Sequence, residues 1–211
     1  MGRRAQTETE KEEIRNKILD ATLELISKEG YKGFSMRKLG PMLGVAPKTI
    51  YNYFQSKEEI YLHVLTKGFD LLYEELVQCS KLEVHPFQKV FEIIKTYIKF
   101  GFEKSNYYDV MFTWYVPKYN DFVGTALESL AYNELQSALK CFQILVESIR
   151  QVKNNLLTEE RVNLFSLQLL VSVHGIVALR NNTILGYVHE NPDSIIEPLI
   201  LSILDPLNPK I

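Results

Sequence analysis

Helical spacing of apolar residues is the feature of this 211-residue chain that most restricts its fold. From Ile14 onward, apolar side chains recur three or four residues apart, as at Ile18, Leu25 and Ile26. Later segments repeat this spacing, and no segment alternates apolar and polar residues for more than a few positions. An α-helix has 3.6 residues per turn, whereas a strand alternates with a period of two. The chain is therefore predicted to be all-α.

Start and stop signals place the predicted helices. Thr9-x-x-Glu12 predicts a capping box at the first helix, Gly44 can supply a left-handed stop, and Pro47 suits a first helical turn. In the first 80 residues, one helix is predicted from the Thr9 capping box to Gly30, and others over about 36–43, 47–54 and 56–79. Beyond them, helices are predicted over about 87–105, 107–114, 117–153, 158–180 and 192–204, the last kinked or shortened by Pro198.

Composition excludes several classes of protein. The net charge of −2 gives no hint of a nucleic-acid or membrane partner for the chain as a whole. Two distant cysteines, Cys79 and Cys141, suit a reducing cytoplasm. The polar N-terminus lacks the apolar run of a secretion signal. The apolar stretch between Arg161 and Arg180 contains several polar residues, so we interpret it as a buried helix and not as a membrane span.

Local charge points to DNA. Residues 35–54 have the form of a helix-turn-helix, whose second helix enters the major groove. The chain has no acidic residue between Glu29 and Glu58. That interval carries five positive charges, on Lys32, Arg37, Lys38, Lys48 and Lys57. Such a basic segment attracts the phosphate polyanion.

Side chains in the second helix divide by face. Ile50 and Phe54 are four residues apart and are predicted to be buried, while Thr49 and Asn52 can hydrogen-bond base edges. Tyr51 combines a ring that braces the helix pair with a hydroxyl that can reach a phosphate. The alternative is that these are ordinary surface residues of a small three-helix unit.

The chain over about residues 11–65, most closely from Ile18 to Leu65, resembles the N-terminal domain of the tetracycline-repressor (TetR) family. The shared elements are the Gly30-Tyr31-x-Gly33-Phe34-Ser35 turn, Arg37, Leu39, Gly44-Val45 and the string Thr49-Ile50-Tyr51-x-Tyr53-Phe54-x-x-Lys57-Glu58. Two departures are Gly40-Pro41, which could kink the second helix, and Ala46, where Ser or Thr often caps the recognition helix.

The resemblance implies a homodimeric, mostly repressive transcription factor with a C-terminal effector domain. It implies a DNA-binding domain over 1–55, a linking helix over 56–80 and an effector-binding and dimerisation domain over 81–211. By family correspondence, the residues that touch DNA are Arg37, Pro47, Lys48, Thr49, Tyr51, Asn52 and Tyr53, with Lys57 on the phosphate backbone. Gly2-Arg3-Arg4 resembles a basic arm that reaches a minor groove, although disordered tails often contain such pairs.

Rings are concentrated in the C-terminal part. Residues 87–122 hold 12 of the 24 aromatic side chains, a density that suits either a packed core or a mostly apolar ligand pocket. The candidate pocket residues are Phe91, Tyr97, Phe112, Trp114, Tyr115 and His174, and for His174 a hydrogen-bonded core position is the alternative. We expect a small, largely apolar or aromatic effector.

The helix over 158–180 is apolar on nearly every side and must be covered all round. With the 192–204 helix it would form a four-helix interface across a twofold axis, as the family resemblance implies. Residues 173–179, VHGIVAL, also resemble the Trp-His-Gly signature of one C-terminal subgroup, with Val173 in place of Trp.

Other functions find little support in the sequence. The four histidines show no metal-ligand spacing, and no phosphate-cradling glycine loop or activated nucleophile is present, so we predict no enzyme, metal or cofactor. A DNA-binding regulator controlled by a protein partner, or acting without a ligand, stays open as the alternative.

Overall fold

A computed structural model describes residues 7–152 and 157–208. All regular structure in these two ranges is helical, which confirms the predicted all-α class. The chain divides into two compact units by internal contacts. The first comprises residues up to Phe69 together with 106–136, and the second comprises 70–105 and the residues from 137 onward. The predicted cut between residues 80 and 81 stays a prediction.

The N-terminal part of the first unit contains three helices and the beginning of a fourth. They are α1 (Glu8–Gly33), α2 (Met36–Met42), α3 (Pro47–Ile50) and the beginning of α4 (Lys57–Ser80). Their shared core includes Ile26, Leu39, Ile50 and Leu65, each with 0% of its surface exposed. Burial of four fully enclosed aliphatic side chains stabilises this arrangement by about 1.5–3 kcal/mol per side chain.

The start of α1 differs from the prediction. Thr7, and not Thr9, is the N-cap: its hydroxyl accepts the Glu10 N–H, and the Glu10 carboxylate accepts the Thr7 N–H at 2.7 Å. Both Thr-x-x-Glu pairs fit a capping box, and the earlier one gives the longer helix. Gly30 marks a break, as expected, but the helical hydrogen bonding resumes after its left-handed φ of 73° and continues to Gly33.

A helical segment after residue 104 completes the first unit. It contains α6 (Ser105–Tyr108), a π-helical turn (Asp109–Thr113) and a 3-10 turn (Tyr119–Asp121). The predicted helix over 117–153 is wrong at its start, because α7 covers only Glu128–Val152. Gly124, with a φ of 77°, lies in the intervening turn and breaks the helical backbone there.

This segment packs closely on α4. A methyl group at Gly68 would lie 2.6 Å from the Met111 sulfur and 2.9 Å from the Tyr107 ring, so a larger residue there would displace these side chains. The Tyr61 hydroxyl donates to the Pro117 carbonyl at 3.2 Å, and the Phe69 and Phe112 rings meet edge-on at 5.5 Å. The rings at 107–122 therefore belong to the unit that holds the helix-turn-helix.

The second unit is built on α5 (Pro86–Glu103), α8 (Glu159–Asn181) and α10 (Ile196–Leu204), which pack against one another. A short helix, α9 (Leu185–Val188), follows α8. Prediction of α10 from residue 192 was wrong, because the residues before 196 form turns. Pro198 therefore falls in the first turn, where its missing N–H costs no helical hydrogen bond, and it causes no kink.

Two faces of α8 differ in burial. Val162, Leu169, Val173 and Val177 are at most 1% exposed. A second stripe at helical spacing is exposed and mainly apolar, with Leu164, Leu167, Gln168, Val171, Gly175 and Leu179. By length and composition alone α8 could cross a membrane, a weak indication that core helices of soluble proteins also give.

Two predictions lie outside the described residues. They are the basic arm at Gly2-Arg3-Arg4 and the end of the long helix at Lys153.

Candidate nucleic-acid interface

The turn between α2 and α3 is tight and hydrogen-bonded. The Ser35 hydroxyl caps α2 by accepting the Lys38 N–H at 3.4 Å. Gly44 has a left-handed φ of 66°, as predicted. The Val45 N–H donates a hydrogen bond to the Gly40 carbonyl oxygen at 3.0 Å. A methyl group at Gly40 would lie 2.8 Å from the Val45 carbonyl oxygen, so only glycine allows this close approach. The Gly40-Pro41 departure thus tightens the turn without kinking α2, which ends at Met42.

The recognition helix is shorter than predicted. The α-helix covers Pro47–Ile50 and the chain continues as a turn, in which Phe54 N–H donates to the Ile50 carbonyl at 3.1 Å. Ala46 provides no side-chain cap, as its chemistry predicts.

Burial orients this turn. Ile50 and Phe54 are 0% and 1% exposed, which confirms that they face the core. Because these two anchors fix the rotation of the segment, the remaining side chains point elsewhere. Five of the predicted DNA contacts are exposed: Arg37, Lys48, Thr49, Tyr51 and Asn52.

Three predicted contacts are only half-buried: Pro47, Tyr53 and Lys57. Tyr53 lines a cleft of about 220 Å³. The ammonium of Lys57 lies 4.7 Å from the centre of the Tyr31 ring at the start of α4. Lys57 therefore reaches the surface beside an aromatic face, a setting that sequence reasoning did not predict.

Charge on this surface remains positive after internal pairing. Lys38 makes an ion pair with Glu29, which neutralises one of the five predicted cations. Within the described residues, Arg37 and Lys48 are exposed and take no part in an ion pair. Their charges are therefore available to a polyanion.

Sequence reasoning missed two residues beneath the recognition turn, Arg15 and His63. The Arg15 guanidinium donates to the Tyr53 carbonyl at 2.6 Å and lies 3.3 Å from His63 Nε2. It also stacks over the Phe54 ring, 4.2 Å from its centre. The only signal in the sequence is that Arg15 adjoins the apolar stripe of α1, between Ile14 and Ile18.

The six predicted pocket residues are divided between the two units. Phe112, Trp114 and Tyr115 belong to the first unit, and Tyr115 is 96% exposed. Phe91, Tyr97 and His174 belong to the second. There, the Tyr97 hydroxyl and His174 Nε2 are hydrogen-bonded at 3.1 Å, and burial lowers the pKa of His174. That geometry is what the core alternative for His174 predicts, and the ligand role stays a prediction.

A separate cavity of about 340 Å³ lies in the second unit. Within the described residues, its Lys89 and Lys140 have no ion-pair partner, whereas Glu147 pairs with Arg150. Its lining comes from α4, α5 and α7 and comprises Tyr73, Ser80, Lys89, Lys140, Gln143, Ile144, Glu147, Ser148 and Gln151. No group of three or more potential metal ligands occurs within residues 7–152 and 157–208.

Residues 18–64, which contain this helix-turn-helix, match the family model for bacterial regulatory proteins of the tetR family. This segment is a DNA-binding domain of the TetR family. TetR-family proteins are DNA-binding regulators and not enzymes, in agreement with the prediction from the sequence.

Similarity to curated proteins is confined to part of the chain. A stretch of 58 residues is 43% identical to the HTH-type transcriptional repressor KstR of Rhodococcus jostii, covering 28% of this chain and 27% of the relative. A stretch of 64 residues is 33% identical to the fatty acid metabolism regulator protein of Bacillus subtilis, covering 30% and 33%. The matched part thus spans about a third or less of these relatives.

A solved structure extends the likeness in fold to nearly the whole chain. The fatty acid degradation regulator FadR from Bacillus halodurans superposes with a TM-score of 0.66, covering 95% of this chain and 97% of that one. Sequence identity is 15%, so this comparison supports the fold of both units and nothing finer.

Proposed function

We propose that this TetR-family regulator is a repressor that binds a palindromic operator as a homodimer and leaves it when a small molecule binds. The observation that carries the proposal is the exposed set on the recognition turn. Thr49 and Asn52 offer base-reading groups, while Arg37 and Lys48 offer unpaired charge to phosphates. A regulator of this kind works in the cytoplasm, where its DNA lies.

Dimerisation is supported by the exposed stripe of α8. Leu164, Leu167 and Val171 are 66%, 51% and 71% exposed, and Leu201 of α10 is 48% exposed. Adjacent Gly175 has open space around its Cα, so a neighbouring helix can approach closely. We propose that a second copy covers this face through the 158–180 and 192–204 helices, as an isologous interface does.

A twofold dimer would require an operator with matching twofold symmetry. Two recognition turns related by a twofold axis read two half-sites one helical turn of DNA apart. A small change in their separation misplaces both, which gives an effector leverage on DNA affinity. The effector must bind the released form better than the DNA-competent form, because only differential affinity shifts the equilibrium.

For the effector site, we favour the cavity of the second unit. Its volume is within the range of small-molecule sites, and its two unpaired lysines suit an anionic group. Two of the similar proteins carry names that refer to fatty acid metabolism or degradation. The two lysines support an effector with an anionic end, and the names suggest the carboxylate of a fatty-acid derivative, although Ile144 and the Tyr73 ring are the main apolar groups that the lining offers to its chain.

One experiment tests the DNA-binding proposal directly. The purified protein is mixed with sheared genomic DNA, and bound duplexes are recovered and sequenced. We expect a small set of fragments that share an inverted repeat. Recovery of no enriched fragment, even in dilute salt, contradicts the proposal.

A thermal-shift screen tests the effector separately. A ligand that binds only the folded state raises the melting temperature. We expect fatty-acid derivatives to do so and to release the protein from a recovered fragment. If DNA is bound but no compound shifts the melting temperature, control by a protein partner, or by no ligand, is favoured instead.

A further inference from the structure

One arginine on α1 reaches the end of the recognition turn. Arg15 Nη1 donates to the Tyr53 carbonyl oxygen at 2.6 Å, and its guanidinium lies over the Phe54 ring. Arg15 is half-buried and is held on its other side by Glu12, whose carboxylate oxygen is 3.8 Å from Arg15 Nε. A single side chain thus holds both a backbone oxygen and the ring that anchors the turn.

These contacts have a physical purpose. Carbonyls at a helix C-terminus have no partner inside the helix, and a cation placed there is favourable. The α-helix stops at Ile50 and the Phe54 N–H still bonds to the Ile50 carbonyl, whereas the Tyr53 carbonyl accepts from Arg15, outside the turn. A charge-assisted hydrogen bond is shorter and stronger than a neutral one, and it is directional. Arg15 therefore restricts the orientation of Tyr51, Asn52 and Tyr53.

His63 of α4 makes the hold of Arg15 on the turn dependent on pH. His63 Nε2 lies 3.3 Å from Arg15 Nη2, so Nε2 accepts a hydrogen bond only while it carries no proton. The Phe54 ring also meets the imidazole edge-on, 5.5 Å between centres. The charged groups that face His63 are Arg15 and Glu12 of α1 and Glu59 of α4.

Burial, and next the charge of Arg15, lower the pKa of His63 below its usual 6.5, and the two glutamates oppose them. The neutral imidazole is therefore the form in which the contact exists at neutral pH. As the pH falls through this lowered pKa, a proton on Nε2 places two cations side by side and removes the acceptor.

We propose that Arg15 is a positioning residue for DNA recognition, and that protonation of His63 loosens its hold on the recognition turn. The consequence has an unusual sign. Adding positive charge near a polyanion ordinarily strengthens DNA binding. Here, acidification weakens it, because the recognition turn loses its fixed orientation.

The test measures dissociation constants by fluorescence anisotropy at constant salt, with a genomic fragment recovered by selection, from about pH 7.5 to about pH 5.5. At the higher pH, we expect Arg15→Gln to bind about tenfold more weakly than the native protein. Lys28→Gln, which removes a charge from α1 at its pair with Glu24, is the matched control and should bind normally. Arg15→Lys keeps the charge without the planar fork and should lie between the two.

The pH profile separates positioning from a loss of folding. We expect native affinity to fall on acidification, and His63→Gln, which retains a hydrogen-bonding side chain, to lose that dependence. Melting temperatures at each pH identify unfolding. Native-like binding by Arg15→Gln, or an identical pH profile for native and His63→Gln proteins, overturns the proposal. Binding of the fragment by the native protein at the higher pH supports the DNA-binding proposal, whatever the result for Arg15 and His63.

Discussion

The Lys57 ammonium lies 4.7 Å from the centre of the Tyr31 ring, which joins the first residue of α4 to the last turn of α1. Both side chains are half-buried. The contact is a cation–π interaction, which contributes about 0.5–2 kcal/mol depending on how far the cation is removed from water. It holds the ammonium at the edge of the predicted DNA surface.

Replacement of Lys57 by Ala should weaken binding to all duplexes alike, because a phosphate contact carries no sequence information. Tyr31→Phe preserves the ring and should bind like the native protein, whereas Tyr31→Leu should weaken binding. Gel-shift titrations on a recovered fragment and on a scrambled duplex measure this. A change in the ratio of the two affinities for Lys57→Ala would contradict a purely phosphate role.

Base discrimination should depend on Thr49 and Asn52. Substitution of either by Ala should lower the preference for the recovered fragment over single-base variants by about 1–3 kcal/mol, since each loses a base-edge contact. Exposed Gln55 lies just beyond the turn, and Gln55→Ala serves as the control. Unchanged discrimination in both variants would remove Thr49 and Asn52 from the base-reading set.

The salt dependence of binding should report Lys48. Loss of one phosphate contact lowers the slope of log affinity against log salt by about 1. We expect that change in Lys48→Ala and none in Lys99→Ala, whose ammonium pairs with Glu103 on α5. Anisotropy titrations at four salt concentrations provide both slopes. Equal slopes for Lys48→Ala and the native protein argue against a phosphate contact.

The dimer should depend on the exposed stripe of α8. Val171→Glu places a charge at the centre of the proposed interface and should raise the dimer dissociation constant more than about tenfold, because a buried unpaired charge is costly. Val188→Glu on α9 is the control, since Val188 is 74% exposed and lies off the stripe. Sedimentation velocity measures both. A dimeric Val171→Glu protein would place the interface elsewhere.

Glu134 should destabilise the protein at neutral pH. It is 5% exposed, and burial raises the pKa of its carboxyl above the usual 4.5, with the charge of Lys118 opposing the shift. Stability associated with the neutral acid is complete below about pH 4.5 and is lost as the pH rises through the raised pKa.

Replacement of Glu134 by Gln should therefore raise the free energy of unfolding at about pH 7.5 more than at about pH 4, where the native carboxyl is already protonated. Urea denaturation at the two pH values measures the difference. Exposed Glu83 provides the control variant, Glu83→Gln. An equal effect of Glu134→Gln at both pH values would contradict a proton-linked cost.

Several helix ends in the first 80 residues could be read from local chemistry, although α1 is capped by Thr7 instead of Thr9 and α3 ends at Ile50. Ser35, Gly44 and Pro47 each meet a backbone requirement that no distant contact can change, and all three have the predicted role. Other failures came where distant contacts decide. The segment after Pro117 turns instead of continuing as a helix, and the Pro117 carbonyl at its start accepts a hydrogen bond from Tyr61 of α4.

The residues of the recognition turn were predictable from the sequence, whereas the contacts that hold the turn in place were not. Burial of Ile50 and Phe54 follows from their spacing alone. In contrast, the contact between Arg15 and the Tyr53 carbonyl joins residues 38 positions apart and leaves no periodic trace. A polar residue beside an apolar stripe can be solvated or can support a neighbouring element, and only the fold distinguishes these cases.

Two overlapping capping signals lie at the beginning of α1, and either of them can start the helix. Thr7 caps the helix with Glu10, and Thr9 with Glu12 repeats the same chemistry two residues later. Mutational loss of Thr7 would shorten α1 by about half a turn and leave Arg15 inside the helix. The chain therefore has a second capping pair that can start α1, so substitutions at Thr7 should leave the recognition surface unchanged.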